Sequence, residues 1–166
     1  EKIENLKLGV PGLLNVENAV AAIAMALLAG VKDDEIFNSI SKFKGIQRRF
    51  DIHLNTEKII YIDDYAHHPE ELKAAISSAK QLFKGKKITG VFQPHLFSRT
   101  KDFAVEFAQS LDLLDEVILL DIYPAREEPI PGVTSEIIFK NIKNKHKTLC
   151  NKGDLLTILS SKKPRV

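Results

Sequence analysis

Two acids and two imidazoles stand together at Asp63-Asp64-Tyr65-Ala66-His67-His68-Pro69. Carboxylates on such a turn can hold ribose hydroxyls or a magnesium-bound water. Imidazoles can hold phosphate or carboxylate, or take a proton near neutral pH. Two later stretches offer similar chemistry. Gln93-Pro94-His95-Leu96-Phe97-Ser98-Arg99-Thr100 carries an imidazole and a guanidinium, and the guanidinium suits bidentate capture of a carboxylate. Asp121-Ile122-Tyr123-Pro124-Ala125-Arg126-Glu127-Glu128-Pro129-Ile130-Pro131-Gly132 mixes charges with prolines.

The elements around these stretches would bring them to one place. Ile59-Ile60-Tyr61-Ile62 is short, apolar and β-branched, and reads as a buried strand. Pro69 suits a first helical turn, and Glu70 and Glu71 favour the positive end of that helix. Leu72, Ala75, Ile76, Ala79, Leu82 and Phe83 then recur at helical spacing. A strand is expected over 87–93, a helix over about 100–113 with Phe103, Phe107, Leu111 and Leu114 on one side, and a strand over 116–121, apolar in its middle and so buried on both faces. Thr134 opens a helix, a short strand falls at about 147–150, and a last helix starts at Asp154. Alternation of this kind predicts an α/β fold, a Rossmann-like, mostly parallel sheet flanked by helices with right-handed crossovers. Ligands of such sheets bind beyond the carboxyl ends of the strands. The strand before Asp63, the strand before Gln93 and the strand before Asp121 would then present Asp64, His67, His95 and Arg99 to a shared hollow.

Residues 1–48 read differently. Asn15 to Leu28 is an Ala-rich helix closed by Gly30, and Asp33 caps a second helix bearing Ile36, Phe37, Ile40 and Phe43. A helical pair with no strand before it looks like the tail of a larger domain. Phe50 to Leu54 and Lys58 to Ile62 form a hairpin leading into the sheet. At the other end, Pro164 follows a helix and Val166 would begin a further strand, so the sequence is expected to stop short of one.

Composition narrows the function. The 166 residues are 44% hydrophobic and 28% charged, which is the balance of a globular chain with a real core. A net charge of +2, without a basic stripe interleaved with aromatics, argues against a nucleic-acid partner. No apolar run approaches the roughly 18 residues of a membrane span, so no membrane partner is expected. One cysteine, Cys150, excludes an internal disulfide framework and fits a reducing compartment. Its setting at a strand end suggests a packed thiol rather than a nucleophile. With no signal peptide at the start, a cytoplasmic location is expected.

Taken singly, the candidate residues have plainer roles. An Asp after a strand often caps a turn, and Arg99 could pair with Asp102 or Glu106 on its own helix. The 124–132 loop could be a rigid connector. His67-His68-Pro69 lacks a second set of ligands at metal spacing, so no metal site is expected, although a zinc hydrolase built on those two histidines is conceivable. No glycine-rich phosphate loop occurs, which would suit a nucleotide-sensing module without catalysis if nothing preceded these residues.

Taken together, five blocks carry a resemblance: P-G-x-x-N-x-x-N-A-x-A-A from Pro11, F-x-G-x-x-R-R-F-D from Phe43, D-D-Y-A-H-H-P from Asp63, F-Q-P-H-x-F-S-R-T from Phe92, and D-x-Y-P-A-R-E-x-P-I-P-G from Asp121. In this order they resemble the carboxyl-terminal part of the Mur ligases. The resemblance implies a three-domain, ATP- and Mg2+-dependent enzyme, with residues 1–48 the last helices of the central domain and 49–166 a Rossmann-like third domain whose last strand is cut short. The partners implied are UDP-N-acetylmuramate, L-alanine, ATP and the rest of the same polypeptide, where the phosphate-gripping loop would lie. A related ligase that recycles muropeptides is the alternative, less well matched in the block from Phe92. By the same resemblance Asn15 and Asn18 lie near the adenine, and Arg49, with Arg48 beside it, reaches the ATP phosphates. Asp64 binds the ribose with Tyr65 adjacent, and His67, His95 and Arg99 lie near the incoming amino acid and the acyl phosphate. Arg49 and His67 would be the catalytic pair. Leu14 and Leu96 depart from the pattern, where His and Arg are frequent, which leaves Arg99 the main cation for the amino-acid carboxylate.

Overall fold

A computed structural model describes residues 6–162 and divides the chain into two compact units. The first holds residues up to Leu54 together with Tyr61–Tyr65, and the second holds Asn55–Ile60 and everything from Ala66 onward. The expected turn from Pro164 into a further strand lies outside the described residues.

In the first unit, α1 (Leu13–Leu28) and α2 (Asp33–Lys42) form the helical pair. The first helix ends where Gly30 takes φ +80°, a left-handed conformation that costs glycine little, while Ala29 and Val31 donate back to Met25 and Ala26. The second helix starts one residue earlier than expected. Lys32 is its cap and Asp33 its first helical residue, with the Glu35 carboxylate reaching back to the Lys32 amide at 3.3 Å. An acid in that first turn still favours the helix through its dipole. Gly9 cannot be replaced without displacement, because a Cβ there would lie 2.1 Å from the Phe43 carbonyl oxygen. Strands β1 (Asp51–Asn55) and β2 (Ile60–Asp63) form a separate two-stranded sheet. This corrects the expectation that the segment before Asp63 is a buried strand of the parallel sheet. Ile59 and Tyr61 are 46% and 56% exposed, because a two-stranded ribbon has no layer on either side to bury them.

The second unit is a three-stranded parallel sheet in the order β3 (Thr89–Phe92), β4 (Glu116–Leu120), β5 (Lys147–Cys150). Every residue of the central strand is buried, which is why its sequence is apolar from Val117 to Leu120. Helices α3 (Pro69–Leu82), α4 (Phe97–Asp102), α5 (Ala104–Leu111), α6 (Glu136–Asn141) and α7 (Leu155–Ser161) alternate with the strands. Ile76 of α3, Phe107 and Leu111 of α5, and Ile138 of α6 meet Phe92, Val117 and Leu119 in one apolar cluster. The single helix expected over 100–113 is two. Phe103 leaves helical geometry at φ −119° and packs its ring edge-on against His68, 4.9 Å between centroids. The helix after Thr134 starts at Glu136 because Ser135 is buried and its hydroxyl donates to Leu120 O at 2.6 Å. Among the described residues no helix is long and apolar enough to cross a membrane.

Candidate functional site

Beyond their carboxyl ends, β3 and β4 stay paired through their loops, one residue out of the register of the strands. His95 bridges Tyr123 in parallel, Tyr123 N–H donates to Pro94 O at 2.8 Å, and Leu96 N–H donates to Tyr123 O at 3.0 Å. This ladder holds Leu96 at φ +74°, a strained value for a side-chain-bearing residue. It also sets the His95 ring 5.5 Å from that of Tyr123, the two tilted by 34°.

His67, just ahead of α3, comes to the same edge, its ring centroid 6.3 Å from that of His95. Its main-chain N–H donates to Glu71 Oε2 at 3.0 Å, and the same oxygen lies 3.5 Å from His67 Nδ1. The Glu71 carboxylate therefore lies on the Nδ1 side of the His67 ring. Arg99 projects from α4. Its Nη1 atom is buried and finds no hydrogen-bond partner among the described residues, and no ion pair joins it to Asp102 or Glu106. Burial pushes the His95 pKa below its ordinary 6.5, and the Arg99 and His67 charges lower it further against an opposing pull from Glu127. His95 is therefore a neutral imidazole at neutral pH. A neutral ring beside a half-buried guanidinium with an unused donor has the chemistry to receive a carboxylate.

Of the other residues singled out in the sequence, Asn15, Asn18, Arg48, Arg49, Asp64 and Tyr65 lie in the first unit. Asn15 donates its carboxamide to Pro11 O at 2.6 Å, next to the start of α1, and Asn18 is exposed on the same helix. Arg49 is exposed on a turn whose neighbours Arg48 and Phe50 both have positive φ, 61° and 49°. Asp64 stabilises that turn, its Oδ2 accepting from Phe50 N–H at 2.7 Å, and Tyr65 N–H donates to Arg48 O at 2.7 Å. Arg48 lies over the Tyr65 ring at 4.5 Å and 3.6 Å from the Asp63 carboxylate. The structure thus brings His67, His95 and Arg99 together in one unit and Arg48, Asp64 and Tyr65 together in the other.

Glu71, Tyr123 and Glu127 were not among the candidates. Glu127 accepts from the Ser98 amide at 2.9 Å and the Ser98 hydroxyl at 2.5 Å. Those partners are far apart in sequence, and only the charged residues in the proline-rich loop hinted at them.

A cavity of about 670 Å³ opens beside the ends of β4 and β5, lined by Asp121, Cys150, Asn151 and Asp154. It shares no lining with the histidine–arginine cluster. Burial first, then Asp154 and Asp121, push the Cys150 thiol pKa up, so this thiol is a poor nucleophile.

Residues 48–161 match the family model described as the glutamate ligase domain of Mur ligase. The chain belongs to the Mur ligase family. It is 55% identical over 165 residues to the UDP-N-acetylmuramate–L-alanine ligase of Parabacteroides distasonis, covering 99% of this chain and 36% of that protein. It is 58% identical over 158 residues to the protein of the same name from Porphyromonas gingivalis, covering 95% and 35%. The crystal structure of the UDP-N-acetylmuramate–alanine ligase of Thermotoga maritima superposes with a TM-score of 0.79 at 31% identity, over 99% of this chain and 35% of that one. The chain therefore spans about a third of the length of these relatives.

Proposed function

We propose that this chain is the carboxyl-terminal part of an ATP-dependent ligase that joins L-alanine to UDP-N-acetylmuramate in peptidoglycan precursor synthesis in the cytoplasm. Residues 1–48 would be the last helices of its central domain and 49–166 its third domain. The observation that carries the reading is the cluster of His67, His95 and Arg99, in which a buried guanidinium nitrogen has no hydrogen-bond partner among the described residues. The names of the relatives support the choice of amino acid and sugar nucleotide.

In this reading the muramoyl carboxylate takes the γ-phosphoryl group of ATP, releasing ADP. The alanine nitrogen then attacks the acyl carbon and phosphate leaves. Orientation and charge do most of the work. Arg99 binds the alanine carboxylate, and His95 borders it as a neutral ring. His67, oriented by Glu71, accepts the proton that the ammonium group must lose. The first unit suits a nucleotide by its donor set: Arg49 and Arg48 for phosphate oxygens, Asp64 and Tyr65 for the ribose, and Asn15 and Asn18 for the base. Among the described residues no group of three or more His, Cys, Asp or Glu could hold a metal ion, and magnesium would arrive with the nucleotide. Its ligands would come from the nucleotide and the rest of the polypeptide.

The test is ADP release by the complete protein with UDP-N-acetylmuramate and ATP, with and without L-alanine. Alanine-dependent release is expected, and Arg49→Ala is expected to reduce it by roughly 10³-fold while the protein stays folded. Release that ignores alanine refutes the reading. Near-normal turnover in the variant refutes the role of Arg49.

A further inference from the structure

Helix α4 is six residues long and begins badly. Its cap, Leu96, has φ +74°, offers no side-chain acceptor, and spends its own N–H on Tyr123 O. The first turn of any helix leaves amide donors without intrahelical acceptors, and a polar cap normally takes them. Here the acceptor comes from another loop. Glu127 takes the Ser98 amide on Oε2 and the Ser98 hydroxyl on Oε1, at 2.9 and 2.5 Å. These bonds, the hydroxyl first, hold its pKa below the ordinary carboxylate range, so the group is an anion throughout the neutral range.

Arg99 is the next residue along. Its guanidinium interacts electrostatically with both His95 and Glu127, yet its buried Nη1 has no hydrogen bond among the described residues. No hydrogen bond at Nη1 therefore locks its direction. What fixes it is the backbone at 98–99, pinned by the Glu127 carboxylate and by Thr100, whose hydroxyl donates to Leu96 O at 2.7 Å. The loop that supplies Glu127 is itself strained, with Ala125 at φ +53°. Two strained loops persist side by side only where the bonds between them over-determine the geometry.

We infer that Glu127 is a positioning residue: it caps α4 from the loop after β4 and thereby aims the Arg99 guanidinium into the amino-acid site. This rests on the ligase reading above. Its consequence is specific. Loss of Glu127 weakens capture of the amino acid, while the nucleotide, for which the first unit supplies the proposed ligands, is held as before.

The experiment uses the complete protein with Glu127→Ala and Glu127→Gln. Glu127→Ala is expected to raise the KM for L-alanine about tenfold and leave the KM for ATP within about twofold, the effect of one lost charged hydrogen-bonding group. Glu127→Gln keeps an acceptor oxygen and should fall between. In NMR spectra the Ser98 amide should exchange faster in Glu127→Ala, and the Arg99 Nε–Hε resonance should broaden or move. An unchanged alanine KM overturns the inference even if Ser98 exchange accelerates, because the cap then does not place Arg99. Equal losses in both KM values with a lowered melting temperature overturn it too, since that is a folding role. If the unaltered protein shows no alanine-dependent ADP release, the ligase reading fails. The positioning claim is then judged on the Arg99 resonance, and an unmoved line overturns it.

Discussion

Replacing Glu116 by Gln should remove a stabilisation that depends on pH in a calculable way. Glu116 opens β4 at the end of the sheet away from the loops, with its side chain only 11% exposed. It accepts from Lys87 Nζ at 2.7 Å and Thr89 Oγ1 at 3.2 Å, and pairs with Lys162. Burial raises its pKa, but the hydrogen bonds from Lys162 and Lys87 outweigh that and bring it from 4.5 down to about 2. Taken at face value, that fall corresponds to on the order of 3 kcal/mol. The Lys87 side chain is 59% exposed. Water screens its share, so about 2 kcal/mol is the working figure. The sign follows from linkage. The folded pKa lies below the unfolded one, so the contribution is complete above 4.5, fades as pH falls, and is gone below about 2. Urea unfolding of the 166-residue chain followed by circular dichroism, at steps from pH 7 to pH 2, reads the difference between parent and variant. A gap of about 2 kcal/mol at pH 7 that closes by pH 2 is expected. A gap that does not change with pH refutes the argument, because the charge would then not be its source.

Two other outcomes follow from the second unit. Phe107 is 1% exposed at the centre of the cluster formed by α3, α5 and the sheet; Phe107→Ala should cost about 3–5 kcal/mol in the same unfolding assay, and a loss under about 1 kcal/mol would mean the core refills. In the Arg99→Ala variant one of the charges that lower the His95 pKa is gone, so that pKa should rise toward 6.5 in an NMR titration of the ring carbons; a fall or no change would show that Arg99 does not face His95.

The α/β alternation was legible because its signals are local. Val117–Leu120 is apolar on both faces and reads as a central strand, and the structure buries all of it. Gly30 and Pro69 mark helix ends through backbone properties that need no partner. What escaped the sequence depends on distant partners. The hairpin of β1 and β2 was legible, but nothing in Ile60–Asp63 says that the pair stays apart from the parallel sheet. The break at Phe103 arises from a ring packed against His68, thirty-five residues earlier in numbering. Ser98 and Glu127 meet across two loops, and in the sequence each looks like an ordinary surface residue. The candidate residues His67, His95 and Arg99 were visible by chemical type; a β/α pattern puts His95 and Arg99 beyond the carboxyl end of β3, whereas His67 follows a strand outside that sheet.

Ser110, 5% exposed on α5, donates its hydroxyl to the carbonyl of Pro69 at 3.0 Å. Pro69 is the first residue of α3 and follows directly on His67-His68. The height of those imidazoles above the sheet is therefore gauged from a neighbouring helix and not from the strands beneath. A substitution that slides α5 along its axis, even one remote from His95 and Arg99, would displace the start of α3 and with it His67 and His68.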